Sequence, residues 1–264
     1  MAKIVVFDSG FGSLSIIQAI QKVMKSHIIY FADQKNFPYG KKSKSQLTKI
    51  IIKTLNFLDQ QFHPDLIVIG SNTPSLLVET NETNKKNIVK VLPPIKNASK
   101  LSTTGNIAIL ATRATVESKL LSEYLRKSNL PKHVKVKKID VSKLINLVEH
   151  TKFISDQKLC ERMIKKILAE QFSKFNIDVA TLSSTHLPFL LPLLKKQFPD
   201  IIFLDPAEEV ARKVKRIMIK KQSKTNRLKI FTSSDPKRFE SALLRMRIKK
   251  SIRVHRFYPH NFFR

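Results

Sequence analysis

Three short polar clusters carry residue types suited to acid–base or binding chemistry. Asp8-Ser9 follows the apolar run at 3–7, Ser71-Asn72-Thr73 follows the run at 65–69, and Ser184-Thr185-His186 follows the run at 178–182. Each cluster sets hydroxyl, amide, carboxylate or imidazole groups where a β-branched run gives way to a helical pattern. In open parallel sheets, ligands bind outside the carboxyl ends of the strands. Helix N-termini there offer backbone N–H groups and positive dipole ends to anions. Two such groups of clusters facing each other would enclose a small anionic molecule. Each residue also has a plainer structural reading. Asp8 after a strand is an ordinary helix cap, His186 before Leu187-Pro188 a structural hydrogen-bonder, and Glu149 a surface charge. The single cysteine, Cys160, rules out a disulfide framework and a multi-cysteine metal site, and on a helix it reads as a packing residue. No metal site is expected.

The elements that position these clusters follow from hydrophobic periodicity. Strands are predicted at 3–7, 27–33, 65–69 and 87–91, with helices over about 13–24 and 44–61 and a Pro38-Tyr39-Gly40 loop between. A similar pattern restarts near residue 106: strands at 107–111 and 134–140, helices at 116–127 and 155–174, and strands at 178–182 and 201–205. Pro206 opens a helix to about 220, and LKIFTSSDPKRFESALLRM reads as a last strand, an Asp-Pro turn and a helix. Strands alternating with amphipathic helices mean βαβ units and a parallel sheet covered on both faces. The expected fold is α/β: two similar doubly wound parallel-sheet domains with the ligand cleft between them. Residues 1–95 with 207–264 would form the first domain and 96–206 the second.

Composition bounds the function classes. The 264 residues are 42% hydrophobic, enough for a sizeable core. No run of 18 apolar residues occurs, so no transmembrane helix is expected, and the N-terminus lacks a secretory signal pattern. A cytoplasmic protein with no membrane partner is the expectation. The formal net charge is +29, and residues 207–264 hold 18 Lys/Arg against 4 acids. Such a field attracts polyanions by counterion release. The alternative is compositional bias: Lys, Ile, Asn and Phe are abundant while Gly (5) and Trp (0) are scarce.

Six segments, in this order, resemble the successive blocks of the glutamate racemases: VVFDSGFGSLSIIQAI, YFADQKNFPYGKKS, LIVIGSNTPSLL, IAILATRATVES, TLSSTHLPFLLPLL and FLDPAEEVARKV. The resemblance runs from residue 4 to about 246. It implies membership of the cofactor-independent aspartate/glutamate racemase superfamily: no pyridoxal phosphate, no metal, and glutamate or a similar dicarboxylic amino acid as the small-molecule partner. It is also compatible with a homodimer. In that family two cysteines flank the α-carbon; one thiolate removes the α-proton while the opposite thiol delivers a proton to the other face. Thiols suit this because a group with a pKa near 8.5 is ionised at moderate cost.

The sequence departs from the family at the positions that matter most. Ser71 stands where the first cysteine is the pattern, and Ser184 where the second is. A serine hydroxyl is a far weaker acid and needs an adjacent base to act. The remaining pattern is intact. By resemblance, Asp8 assists position 71, and Glu149 with His186 assists position 184. Ser9, the Pro38-Tyr39-Gly40 loop, Asn72, Thr73 and Thr185 bind substrate. Two smaller departures are Gly12-Ser13 for Gly-Gly, which adds bulk in the first turn, and Gly70, where Ala is common. Three functions stay open: a dicarboxylic amino-acid site whose racemisation is lost or weak, an active racemase using a serine-assisted route, or a basic nucleic-acid-associated protein. The last would use Arg245, Arg247, Lys249, Lys250, Arg253 and Arg256 with Phe257 and Tyr258.

Overall fold

The structure is a computed structural model that describes residues 2–77, 87–221, 223–246 and 253–257. The chain begins with β1 (Lys3–Asp8), α1 (Leu14–Val23), β2 (His27–Ala32), α2 (Lys44–Phe62), β3 (Leu66–Ile69), α3 (Asn72–Leu77) and β4 (Ile88–Lys90). It continues through α4 (Ile95–Leu101), β5 (Asn106–Ala111), α5 (Arg113–Val116), α6 (Lys119–Lys127), β6 (Lys135–Asp140), α7 (Ser142–Glu149), α8 (Lys152–Ser155) and α9 (Gln157–Lys174). Then come β7 (Val179–Leu182), α10 (Leu191–Gln197), β8 (Ile202–Leu204), α11 (Pro206–Ile217), β9 (Arg227–Thr232), α12 (Pro236–Arg245) and β10 (Val254–Arg256). The chain divides into two compact units, Met1–Val91 with Ala207–Arg264, and Leu92–Pro206.

Each unit is a parallel sheet with alternating helices, as the alternating pattern predicts. The first sheet runs β10-β9-β2-β1-β3-β4 and the second β6-β5-β7-β8, with parallel pairing throughout. In the first sheet β1 lies between β2 and β3; in the second β5 lies between β6 and β7. The connections leave the central strand in opposite directions, and the strand order reverses there. Such a switch point opens a crevice at the strand ends. Strands β1, β3, β5 and β7 are almost wholly buried apolar runs, as expected for strands covered on both faces.

Local chemistry sets the helix boundaries. Ser43 caps α2 with a reciprocal box to Gln46, and His63 closes it in the left-handed region (φ 42°). The helix expected over 116–127 is α6, which starts at Lys119, and a further one-turn helix, α5, precedes it at Arg113–Val116. The Thr112 side chain accepts from Thr115 N and Ser118 from Leu121 N, so each starts a helix of its own. Asp156 likewise caps α9 by accepting from Leu159 N, which separates it from α8. Cys160 is fully buried among Ile164, Leu168, Leu144 and Val148 in the core of the second unit; burial, then nearby Asp156, pushes its thiol pKa up. The edge strand β6 carries Lys135, Lys137 and Lys138, a device that discourages edge pairing. Lys138 Nζ donates to Ser122 Oγ (2.8 Å), and Lys137 Nζ sits 3.7 Å from the centre of the Phe175 ring.

Candidate functional site

The two units carry matching strand-end geometry. In the first, Gly70 N donates to Phe7 O (2.8 Å) and Asp33 N to Asp8 O (2.7 Å). In the second, Ser183 N donates to Leu110 O (2.9 Å) and Val141 N to Ala111 O (2.9 Å). Ser71 and Ser184 are therefore each one residue beyond the backbone bond that ties the third strand of a unit to its first. Asp8 and Ala111 occupy equivalent places, so the first unit has a carboxylate where the second has a methyl group.

In the first unit Asp8 is buried and both its oxygens are engaged. Oδ1 accepts from Ser9 N at 2.7 Å, and Oδ2 lies 3.1 Å from Ser13 Oγ, which also reaches Gly70 O at 2.7 Å. Ser71 is half-buried. Its carbonyl accepts from Ser75 N (3.1 Å), and among the described residues its hydroxyl makes no hydrogen bond. Asn72 is 4% exposed, yet among the described residues neither Nδ2 nor Oδ1 has a partner. Thr73 is half-buried beside it.

The Pro38-Tyr39-Gly40 segment is anchored from below by a residue that sequence reasoning did not single out. Asp33, at the end of β2, accepts from Tyr39 Oη (3.0 Å), from Asn36 Nδ2 (3.0 and 2.9 Å to its two oxygens) and from Ser233 Oγ (3.2 Å). Burial raises the Asp33 carboxyl pKa, against the lowering pull of these three partners and of Lys42. Burial and the Asp33 and Asp8 charges push the Tyr39 phenol well above its ordinary value. The signal for Asp33 was available: like Asp8, it is an aspartate at the end of an apolar strand.

In the second unit Ser184, Thr185 and His186 are all buried. Ser184 Oγ lies 3.5 Å from His186 Nδ1, at the outer limit of a hydrogen bond. His186 Nε2 is paired with Glu149 Oε1, both side chains being largely enclosed. Glu149 arrives from the last residue of α7, a helix the sequence reading left out, 37 residues away in the chain. A hydroxyl, an imidazole and a carboxylate in series can relay a proton away from the hydroxyl. Of the basic patch named from the sequence, Arg247, Lys249, Lys250 and Tyr258 lie outside the described residues. Phe257 packs against Phe57, Phe62 and Phe231. The described residues contain no cluster of His, Cys, Asp and Glu that could hold a metal ion, and no helix among them is long and apolar enough to cross a membrane.

Fold and strand-end chemistry together define an α/β protein of two parallel-sheet units with polar clusters at their switch points. Solved structures share that architecture. A glutamate racemase isoform from Bacillus anthracis superposes with a TM-score of 0.85 at 25% identity, covering 98% of both chains. The Escherichia coli glutamate racemase, solved with L-glutamate and the activator UDP-MurNAc-ala, superposes at 0.81 with 22% identity, over 97% of both chains. No family model matches the sequence. Curated relatives do: the glutamate racemase of Actinobacillus pleuropneumoniae serotype 3 is 32% identical over 219 residues, 81% of both chains. That of Pasteurella multocida is 30% identical over 233 residues, 84% of both. The chain belongs to the glutamate racemase family.

Proposed function

We propose that this chain binds a dicarboxylic amino acid of the glutamate type and that its racemisation is lost or weak. The observation that carries the binding half is Asn72. A buried amide with neither donor nor acceptor satisfied calls for a partner, and an α-amino acid offers both an ammonium donor and a carboxylate acceptor. Ser9, Thr73 and Thr185, with the Pro38-Tyr39-Gly40 segment, would complete the binding set. Solved relatives hold D-glutamate in the Francisella tularensis enzyme and L-glutamate in the Escherichia coli enzyme, which favours the same ligand class here.

The loss of racemisation follows from Ser71 and Ser184. Abstraction of an α-proton needs a base at its face, and replacing a thiolate by an alkoxide raises the barrier by about 1.4 kcal/mol per pKa unit between the two groups. A serine-assisted route remains as a second reading because Ser184 sits beside the His186–Glu149 pair. That relay exists on one side only, since Ser71 has no such partner among the described residues. The two readings separate in one experiment: calorimetric titration with L- and D-glutamate, then α-proton exchange in heavy water. Binding without exchange is the expected result. Exchange of one enantiomer without inversion would favour the one-sided serine route. No binding of either enantiomer would refute the glutamate reading.

A further inference from the structure

Ser13 and Gly70 are far apart in sequence yet occupy one volume. The Ser13 side chain is fully buried, with Oγ 2.7 Å from Gly70 O and 3.1 Å from Asp8 Oδ2. A Cβ placed on residue 70 would lie 1.9 Å from Ser13 Oγ, 2.8 Å from Ser13 Cβ and 3.0 Å from Phe7 O, so the two Ser13 contacts are the ones that bar a side chain at 70 while the serine is present. The two departures noted in the sequence are one structural event: a hydroxymethyl group at 13 fills the space a methyl group at 70 would take. That exchange adds a hydroxyl beside the carboxylate of Asp8.

We infer that Ser13, locked in place by Gly70, is a clamp that holds Asp8 to the β1–α1 turn and away from service at position 71. Ser9 N donates to Oδ1, and the single Ser13 hydroxyl proton is shared between Gly70 O (2.7 Å) and Oδ2 (3.1 Å), so the turn engages both carboxylate oxygens, while the Ser71 hydroxyl has no hydrogen bond among the described residues. The clamp is a second barrier to racemase chemistry, additional to the missing thiols, and this inference rests on the proposed glutamate site. In a thiol-restored protein, the sulfur at 71 must first give its proton to a neighbouring base. It then takes the α-proton from one face of glutamate while the thiol at 184 returns a proton to the other, so protons balance overall. Asp8 is the carboxylate on the adjacent strand, and Ser13 decides whether it is free to accept.

The test compares α-proton exchange of glutamate in the Ser71→Cys/Ser184→Cys protein with and without Ser13→Ala, which removes the hydroxyl but leaves Gly70 unobstructed. Exchange should rise at least about tenfold on adding Ser13→Ala, a fraction of the roughly 10²–10⁴-fold that a positioned general base supplies. Equal or slower exchange with Ser13→Ala would overturn the clamp. The interlock has its own readout. Gly70→Ala alone should lower the melting temperature, and adding Ser13→Gly should recover most of the loss; additive effects would overturn it. Calorimetry on the unaltered protein keeps the two ideas apart, because absent glutamate binding refutes the site, whereas binding with no gain from Ser13→Ala refutes the clamp.

Discussion

If Asn72 is kept for a ligand, then removing its amide should stabilise the empty protein and abolish binding together. Asn72→Leu is close to isosteric and leaves no polar atom to satisfy. The side chain is 4% exposed and both its polar atoms lack partners among the described residues. An unsatisfied buried group costs about 1–3 kcal/mol, and replacing it by an apolar group of similar shape recovers that cost. No cap is lost, because the side chain makes no hydrogen bond to the backbone of α3. The substitution should therefore raise stability by about 1–3 kcal/mol, or about 2–4 °C in melting temperature per kcal/mol for a unit of this size. The glutamate response should move the opposite way. Ligand at a hundred times its dissociation constant stabilises a binding protein by about 2.7 kcal/mol, and this increment should vanish in the variant.

Differential scanning calorimetry with and without glutamate at about a hundred times its dissociation constant reads both effects on the same sample. A variant that is less stable than the parent without glutamate would mean that Asn72 already has a structural partner, such as an ordered water. A variant that is more stable and still gains from glutamate would mean that the ligand does not use this amide. Either result refutes the reasoning.

Other outcomes follow from the same geometry. Ser71→Cys together with Ser184→Cys should create measurable α-proton exchange of glutamate, and each single change much less, because two-base inversion needs an acid–base group on both faces; Ser and Cys differ little in volume, so the fold should tolerate both. Tyr39→Phe removes one of the donors to buried Asp33 and should cost about 1–2 kcal/mol in chemical denaturation, with weaker glutamate binding if the Pro38-Tyr39-Gly40 segment contacts the ligand. Asp33 has a raised pKa in the folded state, so its ionisation works against folding. Stability should fall as pH rises above 3.8 through the raised value, and Asp33→Asn should remove that part of the pH profile. Asp178 is the opposite case: bonds from Ser102, Thr103 and Thr104 hold its carboxyl at about 2. Its contribution should be fully present above about pH 4 and lost as pH falls toward 2, amounting to about 1 kcal/mol once solvent screening is allowed for; Asp178→Asn should flatten that acid limb.

What was legible in the sequence was whatever depended on neighbours in the chain. The β-branched runs at 3–7, 65–69 and 178–182 announce buried parallel strands, and the polar residues after them announce strand-end clusters. Caps are local too, but their effect was harder to weigh. Thr112 and Ser118 each start a helix, so a one-turn helix precedes the expected 116–127 helix and that helix begins only at Lys119, and α7, with Val141 at its N-cap and no side-chain cap bond, went unnoticed although it delivers Glu149. The least legible features were pairings across long stretches of chain. Ser13 meets Gly70 across 57 residues, Asp33 meets Ser233 across 200, and His186 meets Glu149 across 37. In each case a residue that looked like loop filler or surface charge acquired its meaning from topology. The strand order β2-β1-β3 brings the ends of β1 and β3 side by side, and only that adjacency makes Ser13 and Gly70 competitors for one volume.

The strand-end clusters of the two units deploy their carboxylates differently, and the difference bears on how this branch of the family would lose or keep chemistry. Asp8 is held directly by a backbone N–H and a hydroxyl of its own turn. Glu149 instead pairs with His186, whose other nitrogen lies 3.5 Å from Ser184 Oγ. A directly held carboxylate can be neutralised by one nearby substitution, whereas a carboxylate acting through an imidazole keeps its proton path as long as the ring stays in place. On the proposed reading, then, exchanging cysteine for serine is not equivalent at the two positions. The hydroxyl at 184 retains a partner that can take its proton, while the one at 71 loses both thiol acidity and access to its base. Any residual proton chemistry should therefore be one-sided, confined to the face served by Ser184. Such chemistry exchanges an α-proton without inverting the carbon, and a protein restricted to it would hold its amino acid without racemising it.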